Sequence, residues 1–178
     1  KITGWGWYYL STVLDDFSRY IVTWRLGPTM CASDVTATLD QALAASGLDR
    51  ATVMHRPRLL SDNGASYVAG DLATWLEDKG MEHVRGAPYH PQTQGKIERW
   101  HQTLKNRILL ENYYLPGDLE AQIGHFIEHN HHRYHESLEN LTPADVYFGR
   151  GQEILEERRR IKRQTLEHRR LQHRKIAA

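Results

Sequence analysis

Two runs rich in aromatic and β-branched residues, Trp7 to Leu14 (WYYLSTVL) and Arg19 to Leu26 (RYIVTWRL), stand on either side of the short interruption Asp15-Asp16-Phe17-Ser18. Side chains of this kind suit a pleated, half-buried surface, and two such runs joined by a few turn residues predict a β-hairpin. The hairpin constrains everything after it, because a lone two-stranded ribbon is marginal in water and needs further elements to cover it.

The rest of the chain supplies those elements in alternation. Gly27 and Pro28 stop the second strand, and Ser33 or Asp34 can cap a helix with Val35, Leu39, Ala42 and Leu43 at helical spacing up to Gly47. Pro57 to Ser61 reads as a short buried strand ending at the turn Asp62-Asn63-Gly64. A helix from about Asp71 carries Leu72, Trp75 and Leu76 and stops at Gly80, and Met81 to Arg85 reads as a short strand. Pro88 and Pro91 keep the stretch 86–95 irregular. A long helix then runs from about Gln94 to Glu111 on a stripe of Ile97, Trp100, Leu104 and Ile108. Pro116-Gly117-Asp118 breaks it, and another helix follows from Leu119 to about Tyr134 through Ile123, Phe126 and Ile127. After a turn at Pro143 comes a charged helical tail from Gly151 to Lys175. Strands first, then helix, strand, helix, strand and a run of helices, predict an α/β fold: a mixed sheet flanked by helices on both faces, with function at the strand ends.

Composition sets the outer bounds. A chain of 178 residues and 20.7 kDa suits one ordinary domain with a real core, here residues 1–150 followed by the tail 151–178. The single Cys31 excludes an internal disulfide framework and a cysteine zinc cluster, and no apolar run approaches a membrane span. The expectation is therefore no membrane partner and a reducing compartment, the bacterial cytosol or nucleoid. The net charge of +1 hides an asymmetry. The tail from Gln152 carries nine Lys and Arg against four Glu, and the body carries fourteen cations against eighteen carboxylates.

Two carboxylates stand out. Asp62 ends a buried strand at a glycine turn, where a cation or phosphate can approach, although Asp-Asn-Gly alone is an ordinary turn. Glu98 lies one turn into the long helix, off its apolar stripe, although a glutamate at a helix start also serves the dipole.

Their setting is more specific than either residue. SDNGASYVA, then 35 residues between Asp62 and Glu98, then PYHPQTQGKIERWHQTLK resembles the second and third acidic motifs of the DDE recombinases, in the integrase catalytic core of retroviral integrases and insertion-sequence transposases. LSTVLDDFSRYIVTW resembles two strands of that core, and Asn130, Arg133, His135, Leu138, Thr142 and Pro143 resemble the closing signature of the transposase branch.

The resemblance implies a ribonuclease H-like fold in which Asp62 and Glu98 are catalytic and hold Mg²⁺ or Mn²⁺ in a two-metal site for phosphodiester cleavage and strand transfer on DNA. It places the first acidic residue in a D-x-T motif ahead of Trp7. The first strand is then truncated, and this chain is expected to be inactive or nearly so by itself. Asp15 and Asp16 match the polar hairpin turn and not a metal ligand. Tyr89, Gln94, Gln102 and Lys105 match positions that approach DNA ends, and two ends handled together imply a homo-oligomer.

The tail cations Arg158, Arg159, Arg160, Lys162 and Arg163 are candidates for phosphate contact, with a solvated helix face or coiled-coil pairing as alternatives. Eleven histidines, with His125, His129, His131, His132 and His135 close together, lack the companions that a zinc site needs. A second functional reading is a catalytically dead DNA-binding or assembly module derived from such an enzyme.

Overall fold

The structure is a computed structural model that describes residues 1–50, 56–68, 70–86 and 94–176. The hairpin forms as the sequence predicts: β1 (Tyr9–Leu14) pairs antiparallel with β2 (Ile21–Gly27), Tyr9 facing Gly27 and Thr12 facing Trp24. The register shifts between Val13 and Leu14. Its turn is tied by Asp15, whose Oδ2 accepts hydrogen bonds from Ser18 N–H at 2.7 Å and Ser18 Oγ at 2.6 Å. Arg19 takes the left-handed conformation there, at φ 64°.

Alternation along the strands sends side chains to two faces. On one face Leu10, Leu14, Ile21 and Trp24 join Trp100 and Leu104 of α4 (Gly95–Ile108) and Leu119, Ile123 and Ile127 of α5 (Pro116–His131). On the other, Val13 meets Val35 and Leu39 of α1 (Ala32–Ser46) and Leu72 and Leu76 of α3 (Gly70–Asp78). Helices on both faces is the expected layering. The capping residue of α1 differs from the expectation: Cys31 is the N-cap, and Asp34 reaches back to accept from its backbone N–H at 3.0 Å.

A second pair, β3 (Leu59–Ser61) with β4 (His83–Arg85), is parallel, Leu59 facing His83. Both strand directions expected of a mixed sheet are present, but among the described residues they fall in two separate two-stranded sheets. One helical layer serves both, because Leu59 and Val13 rest against the same cluster from α1 and α3. Between β3 and α3 lies the short helix α2 (Ala65–Val68), absent from the sequence expectation because four residues are too few to show a helical period.

The chain divides into two compact units, Lys1–His131 and His132–Ala178. The boundary drawn from sequence at 150/151 therefore falls inside the second unit. That unit contains a 3-10 turn (Glu136–Leu138), α6 (Pro143–Tyr147) and α7 (Gly151–Ile176). A Cβ added to Gly151 would come within 2.9 Å of Leu141 Cδ1, and Arg158 donates to the carbonyls of Glu139 and Asn140, so the start of α7 folds onto the preceding turn. The Thr-Pro pair of the closing signature is a helix start: Thr142 caps α6, accepting from Asp145 N–H at 3.1 Å, with Pro143 in the first turn. Beyond Leu155, α7 is exposed throughout its described length.

Candidate active site

Asp62 follows the last residue of β3, and its surroundings are built locally. Ser61 is buried, and its hydroxyl lies 2.9 Å from the Asp62 carbonyl and 2.8 Å from His83 Nε2. Both contacts are satisfied when Ser61 donates to the carbonyl and the imidazole N–H donates to Ser61. Burial, with Arg85 nearby, pushes the His83 imidazole down from its ordinary value. The Asp62 carboxylate accepts from Gly64 N–H at 2.9 Å. A Cβ on Gly64 would meet Asp62 Oδ1 at 3.0 Å, so a glycine there leaves the carboxylate its room. Asn63 Nδ2 donates to the Gly86 carbonyl at 3.0 Å, fastening the turn to the end of β4. Tyr67 borders the site; burial first, and then the Asp62 charge, raise its phenol.

Glu98 lies in the first turn of α4 and is exposed. The stripe of Trp100 and Leu104 turns that face inward, and the 100° advance per residue leaves Glu98, Gln102 and Lys105 together on an exposed face. Among the described residues, the Glu98 carboxylate has no hydrogen-bond or ion-pair partner. His101, on the flank between the buried stripe and that face, is 2.8 Å from Thr12 Oγ1 of β1. Burial, with Lys105 close by, pushes its imidazole down.

The other sequence candidates divide. Tyr89 lies outside the described residues. Gln94 is the N-cap residue of α4 but makes no side-chain cap hydrogen bond, and its amide nitrogen is shielded from solvent without a partner among the described residues. Contact with a ligand therefore requires Gln94 to turn outward. Gln102 is exposed and donates to Asn106 Oδ1 at 2.8 Å, and Lys105 is exposed. Asp15 ties the hairpin turn, and Asp16 pairs with Lys96 at 2.6 Å, so both have structural duties.

In the second unit Arg158 is already engaged, over the Tyr134 ring and on two carbonyls, and Arg160 pairs with Glu157 at 2.6 Å. Arg159, Lys162 and Arg163 are exposed. His131 is buried, stacked on Tyr20 at 3.8 Å, with Nε2 within 3.3 Å of the Ile21 backbone. Among the described residues no group of three or more His, Cys, Asp or Glu is arranged to hold a metal, and no helix is long and apolar enough to cross a membrane. Sequence reasoning missed Lys96, His101 and Thr12, whose pairings span 80 and 89 positions and leave no local pattern.

Residues 1–91 match the family model described as integrase core domain, and residues 79–143 match a second model of the same description. The Pro-Pol polyprotein of simian foamy virus type 1 is 32% identical over 104 residues, 58% of this chain and 8% of its own length. The Gag-Pro-Pol polyprotein of mouse mammary tumor virus (strain BR6) is 29% identical over 126 residues, 68% of this chain and 7% of its own length. The chain thus spans less than a tenth of these curated relatives. Among solved structures, the catalytic core domain of BIV integrase superposes with a TM-score of 0.57 at 23% identity, over 82% of this chain and 89% of that one. A chain of the simian T-cell lymphotropic virus intasome, solved in complex with PP2A regulatory subunit B56 gamma, gives 0.60 at 21%, over 79% and 48%. These likenesses establish the fold.

Proposed function

We propose, from the fact that this chain belongs to the integrase core domain family, that it is the catalytic core of a DDE-type recombinase that cuts and joins DNA by phosphodiester transfer. The observation that carries the reading is the pair of exposed carboxylates, Asp62 at the end of β3 and Glu98 at the start of α4, neither held by a cation among the described residues. A carboxylate already committed to Lys or Arg makes a poor metal ligand; these two are available.

The donor chemistry fits a divalent metal. Hard carboxylate oxygens suit Mg²⁺ or Mn²⁺, which take about six oxygen ligands, so two carboxylates leave positions for water, phosphate or a further acidic residue. When bound, the metal supplies charge stabilisation and a more acidic attacking hydroxyl. The chain's own contribution is to hold the two ligands. Asp62 is fixed through Ser61, Gly64 and the β3–β4 pair, and Glu98 through the docking of α4. Beside Glu98, Gln102 and Lys105 offer a donor and a cation to the DNA backbone, and Gln94 joins them on turning outward. In the second unit, the exposed Arg159, Lys162 and Arg163 add phosphate contacts without reading bases. The two DNA ends of such a reaction imply more than one copy of the chain.

The test is metal-dependent cleavage and joining of model duplex ends by the protein. Asp62→Asn and Glu98→Gln should each lower the rate at least 100-fold and change duplex affinity less than about threefold, because the amides keep shape and lose the charge that holds metal. Retention of more than a tenth of the rate in either variant overturns the reading.

A further inference from the structure

The first turn of α4 carries a tertiary tie with no place in the proposed chemistry. Lys96 Nζ donates to Asp16 Oδ2 at 2.6 Å and to the Asp16 carbonyl at 2.9 Å, joining residues 80 positions apart. Both side chains are substantially exposed, 40% for Lys96 and 64% for Asp16, so the pair adds little to global stability. Its location gives it another effect. Gln94 provides no side-chain cap, and an uncapped helix start frays. Lys96 is two residues before Glu98.

The partner end of the tie is stiff. Asp16 follows Asp15, whose carboxylate receives the Ser18 N–H and hydroxyl, and the turn is closed by Asp15 N–H to the Tyr20 carbonyl at 2.8 Å and Arg19 N–H to the Asp15 carbonyl at 2.9 Å. Ser18 is fully buried. A second tie from the same hairpin, Thr12 to His101, grips α4 three residues beyond Glu98. Glu98 is thus bracketed by two contacts with one rigid hairpin, and the contact on its N-terminal side is ionic.

We infer that Asp16 and Lys96 are positioning residues: the hairpin turn clamps the uncapped first turn of α4 and so fixes where Glu98 presents its carboxylate. The inference deepens the reading of Glu98 as a metal ligand and rests on it for its catalytic meaning, while the clamp itself is testable without catalysis. The one α4 amide that reports it best is Glu98 N–H, which donates to the Gln94 carbonyl at 3.0 Å across the clamped turn.

Amide hydrogen exchange is measured on the 178-residue chain, on Asp16→Asn, and on the charge swap Asp16→Lys with Lys96→Asp. Asp16→Asn should speed exchange at Glu98 about threefold, leave Leu104 and Ile127 unchanged, and leave the thermal midpoint unmoved; the swap should return Glu98 to within about a factor of two of wild type. In the joining assay Asp16→Asn should lower kcat about fivefold with KM unchanged, again restored by the swap. Unchanged Glu98 exchange in Asp16→Asn overturns the clamp. So does a gain in duplex affinity with no change in exchange, which would mark Lys96 as a DNA-binding cation that Asp16 merely neutralises. Should Asp62→Asn and Glu98→Gln stay active while Glu98 exchange responds as expected, the clamp holds and the recombinase reading fails.

Discussion

Helices α4 and α7 are both rich in charge and in good helix formers, yet they are used in opposite ways. In α4, Trp100 and Leu104 are buried against the hairpin and α5, and two side-chain contacts with the hairpin bracket Glu98. In α7, 26 residues and about 39 Å long, Ile161 is 50% exposed and Leu171 55%. Charge and propensity decide that a helix forms; a sustained apolar stripe decides where it sits. A helix without a stripe is free to serve as a cationic arm, and a helix with one can hold a ligand in register.

The contrast breaks most sharply at Trp100. Trp100→Ala removes the largest buried side chain of α4 and should cost about 3–5 kcal/mol in denaturant unfolding. A loss below about 1 kcal/mol would mean that α4 is held by its polar ties and not by its stripe.

Acidification should act next, and on the first unit. Burial holds the imidazoles of His101 and His83 below their ordinary value, so the unfolded chain takes up those protons first. Their contribution is complete above the unfolded value of about 6.5 and is lost as pH falls toward the folded values. Urea midpoints should therefore decline between pH 7 and 5, and His101→Gln, which can keep a bond to Thr12, should flatten the decline. An identical slope in that variant would mean that His101 does not drive the decline.

The smallest effect on stability belongs to the arm. Deleting residues 159–178, beyond the Arg158 contacts, should change stability by less than about 0.5 kcal/mol. The same deletion should flatten the dependence of log K for duplex DNA on log salt, by about 0.9 for each phosphate that the arm no longer neutralises. An unchanged slope would make α7 a solvated helix with no part in binding.

What was legible in the sequence was what is local. The hairpin, the Asp62 turn and the α4 stripe each lie within a window of a few residues, and all are where the residues placed them. Arg158 was not legible: as one arginine of three in a row it looks like its neighbours, and only the left-handed backbone of Glu139 and Asn140, at φ 54° and 58°, and the Tyr134 ring single it out. The division at His131 was hidden for the same reason. The turn at Glu136–Leu138 folds back through the bridge of His135 with Leu141 and gives the second unit a nucleus that composition does not reveal.

The span of these contacts also orders events in time. The Ser61–His83 contact beside Asp62 joins residues 22 apart, whereas the ties that set Glu98 join residues 80 and 89 apart. Shorter loops cost less entropy to close, so the contacts around Asp62 should form before those that set Glu98. A refolding intermediate would then have the Asp62 turn in place while the first turn of α4 is still loose. Pulse-labelled refolding should show protection at Val84 before protection at Glu98, and simultaneous protection would refute that order.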